Sequence, residues 1–97
     1  MKSDIVTISI EVLRREVPGA VKKVTFYERA IYWMLHSAGG GIVSSDSIWN
    51  GLYGHLPESD WPEDEGTIRV LIMRLRRKCP GIKIINHHGV GYSMEMK

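Results

Sequence analysis

Residues 66–94, GTIRVLIMRLRRKCPGIKIINHHGVGYSM, constrain the fold more than any other part of this chain. Ile68, Ile72, Leu75 and Cys79 recur at helical spacing with Leu71 at the margin, while Arg69, Val70, Met73, Arg74 and Arg77 fall on or near the opposite side. This amphipathic helix must end at Pro80-Gly81, because proline cannot continue a helix and glycine favours its exit. Residues 82–86 then read as a strand, His87-His88-Gly89 as a turn and residues 91–96 as the return strand. Tyr92, Met94 and Met96 are expected on one face of that strand, with Ser93, Glu95 and Lys97 on the other. A cationic helix beside a small β-hairpin suits a duplex, the helix in the major groove and the hairpin alongside.

Charge strengthens that expectation through its distribution, since a net charge of +2 is ordinary for 97 residues. Between Gly66 and Met94 there are six Lys or Arg residues and no carboxylate. Five of the eleven acids instead crowd into residues 58–65 (Glu58, Asp60, Glu63, Asp64, Glu65). A single cysteine, Cys79, excludes an internal disulfide and fits a reducing cytoplasm. No apolar run approaches the ~20 residues of a membrane span, so no membrane association is expected.

Upstream, Thr25 and Glu28 have the spacing of a capping box at a helix start, and Tyr27, Ala30, Ile31, Met34 and Leu35 follow on one face until Gly39-Gly40-Gly41. Ser44 is the expected cap of a second helix, with Val43 and Ile48 placed as a hydrophobic staple; Ile48, Trp49, Leu52 and Tyr53 give its apolar side and Gly54 its end. A loop with two prolines follows, and the carboxylates from Asp60 to Asp64 are expected to open the third helix against its positive end. The expected fold is α+β: a winged helix-turn-helix of three helices and a C-terminal hairpin wing over residues 24–97. Residues 1–23 would pack on it as strands or a short helix. Val6, Ile8, Ile10 and Val12 alternate like a strand, whereas Val6, Ile10, Leu13 and Val17 fit a helix or even a short dimerising seam. β-branched content tilts the balance slightly towards strands.

The order helix, helix, acidic loop, basic helix, hairpin resembles the winged-helix effector domain of OmpR/PhoB-type response regulators. Val24-Thr25-x-x-Glu28, Val43-Ser44-Ser45-Asp46-x-Ile48 and Tyr53-Gly54 carry part of the likeness. Thr67-Ile68-x-Val70-x-Ile72-x-Arg74-Leu75-Arg76-Arg77-Lys78 and Gly89-Val90-Gly91-Tyr92 carry most of it. The resemblance covers about residues 24–94. It implies a third helix in the major groove and a wing at the adjacent backbone or minor groove, with Thr67 on phosphate and Arg74 and Arg76 on DNA. The chain departs from the family in having Gly66 at a usually basic position, Arg69 at an acidic one, Leu71 at a commonly polar DNA-facing one, and His88 and Ser93 for the wing's arginines. Its leading sheet looks shortened, and without a receiver domain phosphorylation control is not expected. A free-standing winged helix of this size resembles the small regulators of bacterial or phage genomes.

Within that frame Arg69, Met73 and Arg74 are the expected base-edge contacts, with Val70 able to pack on a thymine methyl. Arg77, Lys78 and Lys83 suit phosphates, and Arg76 suits either phosphate or the edge of the core. His87 and His88 lie in the wing turn, where His88 would hydrogen-bond phosphate more strongly as pH falls. Adjacent histidines in an extended segment project oppositely and match no zinc spacing, so no metal or other cofactor is expected. Cys79 lies on the apolar stripe, which favours a core thiol over a reactive one. Trp33, Trp49 and Trp61 suit packing, although Trp61 in the acidic loop could instead meet a partner. That loop either caps the third helix or, by the resemblance, approaches RNA polymerase. The expected partner is double-stranded DNA, where pairing of two copies as a homodimer on repeated half-sites would improve recognition. The rivals are a protein-docking winged helix, in which the acidic loop binds, and an architectural or packaging role on DNA. No nucleophile–base pair, carboxylate pair or phosphate-binding glycine loop suggests an enzyme.

Overall fold

The computed structural model describes residues 7–62 and 66–97. Val6, and with it the seam and strand patterns that begin there, lies outside the described residues, as do Glu63, Asp64 and Glu65. The elements run α1 (Ile10–Glu16), α2 (Phe26–Ser37), β1 (Val43–Ser44), α3 (Ser45–Tyr53), a 3-10 turn (Glu58–Asp60), α4 (Gly66–Lys78), β2 (Ile82–His87) and β3 (Gly91–Met96). Helix α2 packs against both α3 and α4, and a three-stranded antiparallel sheet of order β1-β3-β2 closes one end of the bundle.

The slight expectation of strands before residue 24 is corrected: residues 10–16 are a helix. Ser9 caps it, its hydroxyl accepting from the Val12 amide at 3.2 Å. Leu13 and Val17, both fully buried, enter the same core as α2, α3 and α4. Burying each is worth about 1.5–3 kcal/mol, more than the roughly 1 kcal/mol span of β-propensities that argued for a strand. Pro18-Gly19 does turn the chain, Gly19 having φ +91°, but it leads from a helix into an extended stretch.

The two capping expectations hold. Thr25 donates its amide to Glu28 Oε1 at 2.9 Å, and Thr25 Oγ1 accepts from the Glu28 amide. Ser44 Oγ accepts from the Ser47 amide at 3.1 Å. The start of α4 is corrected in part: Asp60 belongs to a separate 3-10 turn and not to the first turn of α4.

The hairpin registers Ile82 against Met96 and His87 against Gly91, with the Val90 amide closing the turn on the His87 carbonyl at 2.9 Å. Its first glycine, Gly89, sits at φ +77°, where a side chain is strained. Its second, Gly91, answers a different demand. Strand β1 pairs Val43 with Tyr92 and Ser44 with Gly91, so close that a Cβ on Gly91 would collide with the Val43 carbonyl and lie 2.8 Å from Ser44 Cα. The Gly-Val-Gly motif thus provides a left-handed turn and then a close crossing under the start of α3. Alternation along β3 is also imperfect: Ser93 is buried with Tyr92 and Met94, while Met96 is 46% exposed.

Candidate nucleic-acid interface

Helix α4 buries Ile68, Leu71, Ile72 and Leu75, and these place the remaining side chains. Leu71 is therefore a core residue, which explains why no polar side chain stands there. At 100° per residue Val70, Met73 and Arg77 point directly away from the core, with Arg69 and Arg76 on one flank and Thr67 and Arg74 on the other. Val70 and Met73 remain 39% and 47% exposed, an apolar strip between exposed Arg69, Arg74 and Arg77. Thr67 is half-buried in the first turn.

The sheet lies beside the Arg69–Arg76 flank. Arg76 Nη2 donates to the Ile84 carbonyl of β2 at 2.8 Å, so one arm of this guanidinium ties helix to wing. Arg69 lines a cleft of about 390 Å3 together with Ser45 at the start of α3 and Asn86, His87, His88 and Tyr92 of the wing. Three segments separated in sequence thus meet around one arginine. On the wing, His87 Nε2 and Ser93 Oγ share a hydrogen bond of 2.8 Å, which gives the buried Ser93 hydroxyl a partner. Lys83 and His88 are exposed, as is Val90 beside the turn.

Lys78 departs from the expectation of a free phosphate-binding cation. Its ammonium lies 2.8 Å from Glu28 Oε1, on α2, as both ion pair and hydrogen bond. Glu28 is fully buried, and its Oε2 has no partner. Burial pushes the Glu28 carboxyl up, but the Lys78 ammonium and the two Thr25 hydrogen bonds outweigh it and hold the group below the usual carboxylate value. The carboxylate therefore persists in the interior and pins the end of α4 to the start of α2. The capping-box spacing revealed Glu28 but not this second role, because nothing local marks a partner fifty positions away.

The other singled-out residues serve packing. Cys79 is fully buried, and burial first, then the Glu28 charge, pushes its thiol up to about 11 against the opposing pull of Lys78. Trp61 stacks at 6.3 Å on Trp49 and donates its indole N–H to the Leu56 carbonyl. Glu58 and Asp60 remain exposed beside it. Trp33 packs against His36, whose ring also stacks on Tyr32.

No protein-family profile matches the chain, and no curated protein does. Among solved structures it is similar to the DNA-binding domain of Bacillus subtilis CssR. The two share 28% identity over 73% of this chain and 76% of that one, with a TM-score of 0.62. No helix among the described residues is long and apolar enough to cross a membrane. The helices α1 to α4 around one core, the β1-β3-β2 sheet and this likeness together make the chain a winged-helix fold resembling the OmpR/PhoB-type effector domain.

Proposed function

We propose that this protein is a non-enzymatic, sequence-specific DNA-binding regulator of transcription. The observation that carries the proposal is the solvent face of α4, where Arg69, Arg74 and Arg77 frame the exposed apolar side chains of Val70 and Met73. Arginine forks suit guanine edges and the apolar strip suits thymine methyls, so this mixed face fits a major groove better than a purely solvated one. The likeness to the DNA-binding domain of CssR supports the same reading.

In the mechanism we infer, Arg69, Met73 and Arg74 read bases, with Val70 packing beside them. Thr67, Arg77 and Lys83 take phosphates and set the register. His88 extends the wing's contact to the neighbouring backbone, Arg76 acts mainly through the bond that holds the wing against α4, and His87 through its bond to Ser93 within the hairpin. Lys78 contributes by fixing α4, its charge being engaged with Glu28. Pairing of two copies on repeated half-sites would raise specificity. The exposed carboxylates of Glu58 and Asp60 offer RNA polymerase a charged surface, while Trp61 stays packed on Trp49.

Selection of bound duplexes from a random library, with titration of the winner against scrambled DNA at two salt concentrations, tests this proposal. An enriched motif preferred well above scrambled DNA is expected, with affinity falling steeply as salt rises. Salt-sensitive binding with no enriched motif would replace regulation with an architectural role. Absence of duplex binding would refute the proposal and direct attention to protein docking.

A further inference from the structure

A second basic surface lies outside the helix and wing. Val17, Ala20 and Val24 are buried, which leaves Lys22 and Lys23 exposed together with Val21. This segment is fastened to the recognition helix itself. The Val21 amide donates to the Lys78 carbonyl at 3.0 Å, and a Cβ on Gly19 would stand 3.6 Å from Pro80 Cγ. The lysines are thus carried on the carboxyl end of α4, adjoining its last turn of Arg76, Arg77 and Lys78.

The charges around them are one-sided. Arg14 and Arg15 occupy the last turn of α1, and Arg14 Nε donates to the Ala20 carbonyl at 3.1 Å, which ties that guanidinium to the same segment. An open cleft beside it is lined by Arg14, Arg15 and Lys22 against one carboxylate, Glu11. Of the two other acids in these segments, Glu28 is paired with Lys78, whereas Glu16 accepts from the neutral Tyr32 hydroxyl at 2.8 Å and keeps its charge, so Arg14, Arg15, Lys22 and Lys23 still outnumber Glu11 and Glu16. Among the described residues neither Lys22 nor Lys23 has an ion-pair partner.

We infer that Lys22 and Lys23 form an additional phosphate-binding site, which extends the DNA backbone contact past the carboxyl end of α4. The inference rests on the DNA-binding reading above and adds to it a strand of contacts contributed by residues before α2. The segment that carries both lysines is hydrogen-bonded to the carboxyl end of α4, next to exposed Arg77, the last cation of the candidate interface on that helix. Phosphate is favoured over an acidic peptide because the surface is charged with little apolar relief, Val21 being its exposed apolar side chain. Such contacts carry no base preference.

The test is the double variant Lys22→Ala/Lys23→Ala, titrated on the selected duplex and on scrambled DNA over a range of salt, with Arg74→Ala beside it. Both lysines are exposed, so the variant is expected to fold, and circular dichroism checks that it does. Two lost phosphate contacts make the slope of log affinity against log salt shallower by about 1.8. Affinity should fall by the same factor on both duplexes, and hydroxyl-radical protection should shrink at the flank facing the carboxyl end of α4. Lys22→Arg/Lys23→Arg should restore slope and footprint. An unchanged slope and footprint in the alanine variant, with Arg74→Ala still impaired, overturns the inference and leaves the α4 reading standing. Loss of binding to a hexaglutamate peptide without any change on DNA overturns it in favour of a protein partner. If the unsubstituted protein binds no duplex, the underlying reading fails first.

Discussion

Replacing Lys78 with Met would leave the buried Glu28 carboxylate without its counter-ion. Breaking a buried pair by removing one partner costs about 3–5 kcal/mol. Two features of the site lower that figure. The Lys78 side chain is 25% exposed, so some water already reaches the pair, and the Thr25 amide continues to hold Oε1. Against them, Oε2 is buried and already lacks a hydrogen-bond partner. The expected loss is therefore about 2–3 kcal/mol at pH 7, a drop in Tm of roughly 10–20 °C for a domain of this size. The pH dependence carries the sign. In the unsubstituted protein the Glu28 pKa is lowered from its ordinary value of 4.5, so its stabilisation is present above that value and is lost as pH falls through the folded one. In Lys78→Met, burial dominates and the folded pKa rises, so protonation relieves the variant as pH falls. Urea unfolding at pH 7 and pH 4 should show the gap between the two proteins narrowing in acid. Glu28→Gln/Lys78→Met should be more stable than Lys78→Met alone. A loss below about 0.5 kcal/mol at pH 7, within the range of ordinary surface changes, or a gap that stays constant with pH, would refute the reasoning.

Three further outcomes are expected. Gly91→Ala should lose about 2–3 kcal/mol by overpacking against Val43 and Ser44, and Gly89→Ala only about 1–2 from its backbone conformation; thermal melts giving the reverse order would contradict the account of the motif. Arg74→Ala should weaken binding to the selected duplex by roughly 1–3 kcal/mol and relax preference at one base position. Equal weakening on all sequences in a competition assay would make it a phosphate contact instead. Cys79 should resist a thiol reagent at pH 8 at the rate set by unfolding; because its pKa is raised to about 11, its contribution to stability is present below the ordinary value of 9.0 and lost as pH rises towards 11.

The fold was most legible where local rules act alone. Thr25 with Glu28, Ser44, the apolar stripe of α4 and the hairpin all depend on neighbours within a few positions, and all stand where periodicity and capping chemistry put them. Residues 10–16 are ambiguous in the sequence, β-branched side chains tilting slightly towards a strand, because the burial of Leu13 and Val17 that decides for the helix depends on distant partners. Strand β1 was missed for a similar reason: two residues leave no alternation, and their pairing is with β3. The candidate interface was legible as a set of exposed residues on α4. What each cation already holds was not, since the Lys78–Glu28 and Arg76–Ile84 contacts join separate elements.

The crossing at Gly91 also bears on how the molecule is assembled in time. Ser44 and Gly91 pair across nearly half the chain, and a contact of that range imposes a large entropic cost on loop closure before it stabilises anything. The β2–β3 hairpin can form locally, whereas β1 can join only after α2 and α4 have brought the two regions together. Two residue pairs are also a small seam to break. Amide hydrogen exchange should therefore find the Ser45-to-Val90 bond among the first to open, well before the core of α4. The wing would then be fastened late and released early, so the native protein can breathe at its hairpin while its helical bundle stays closed.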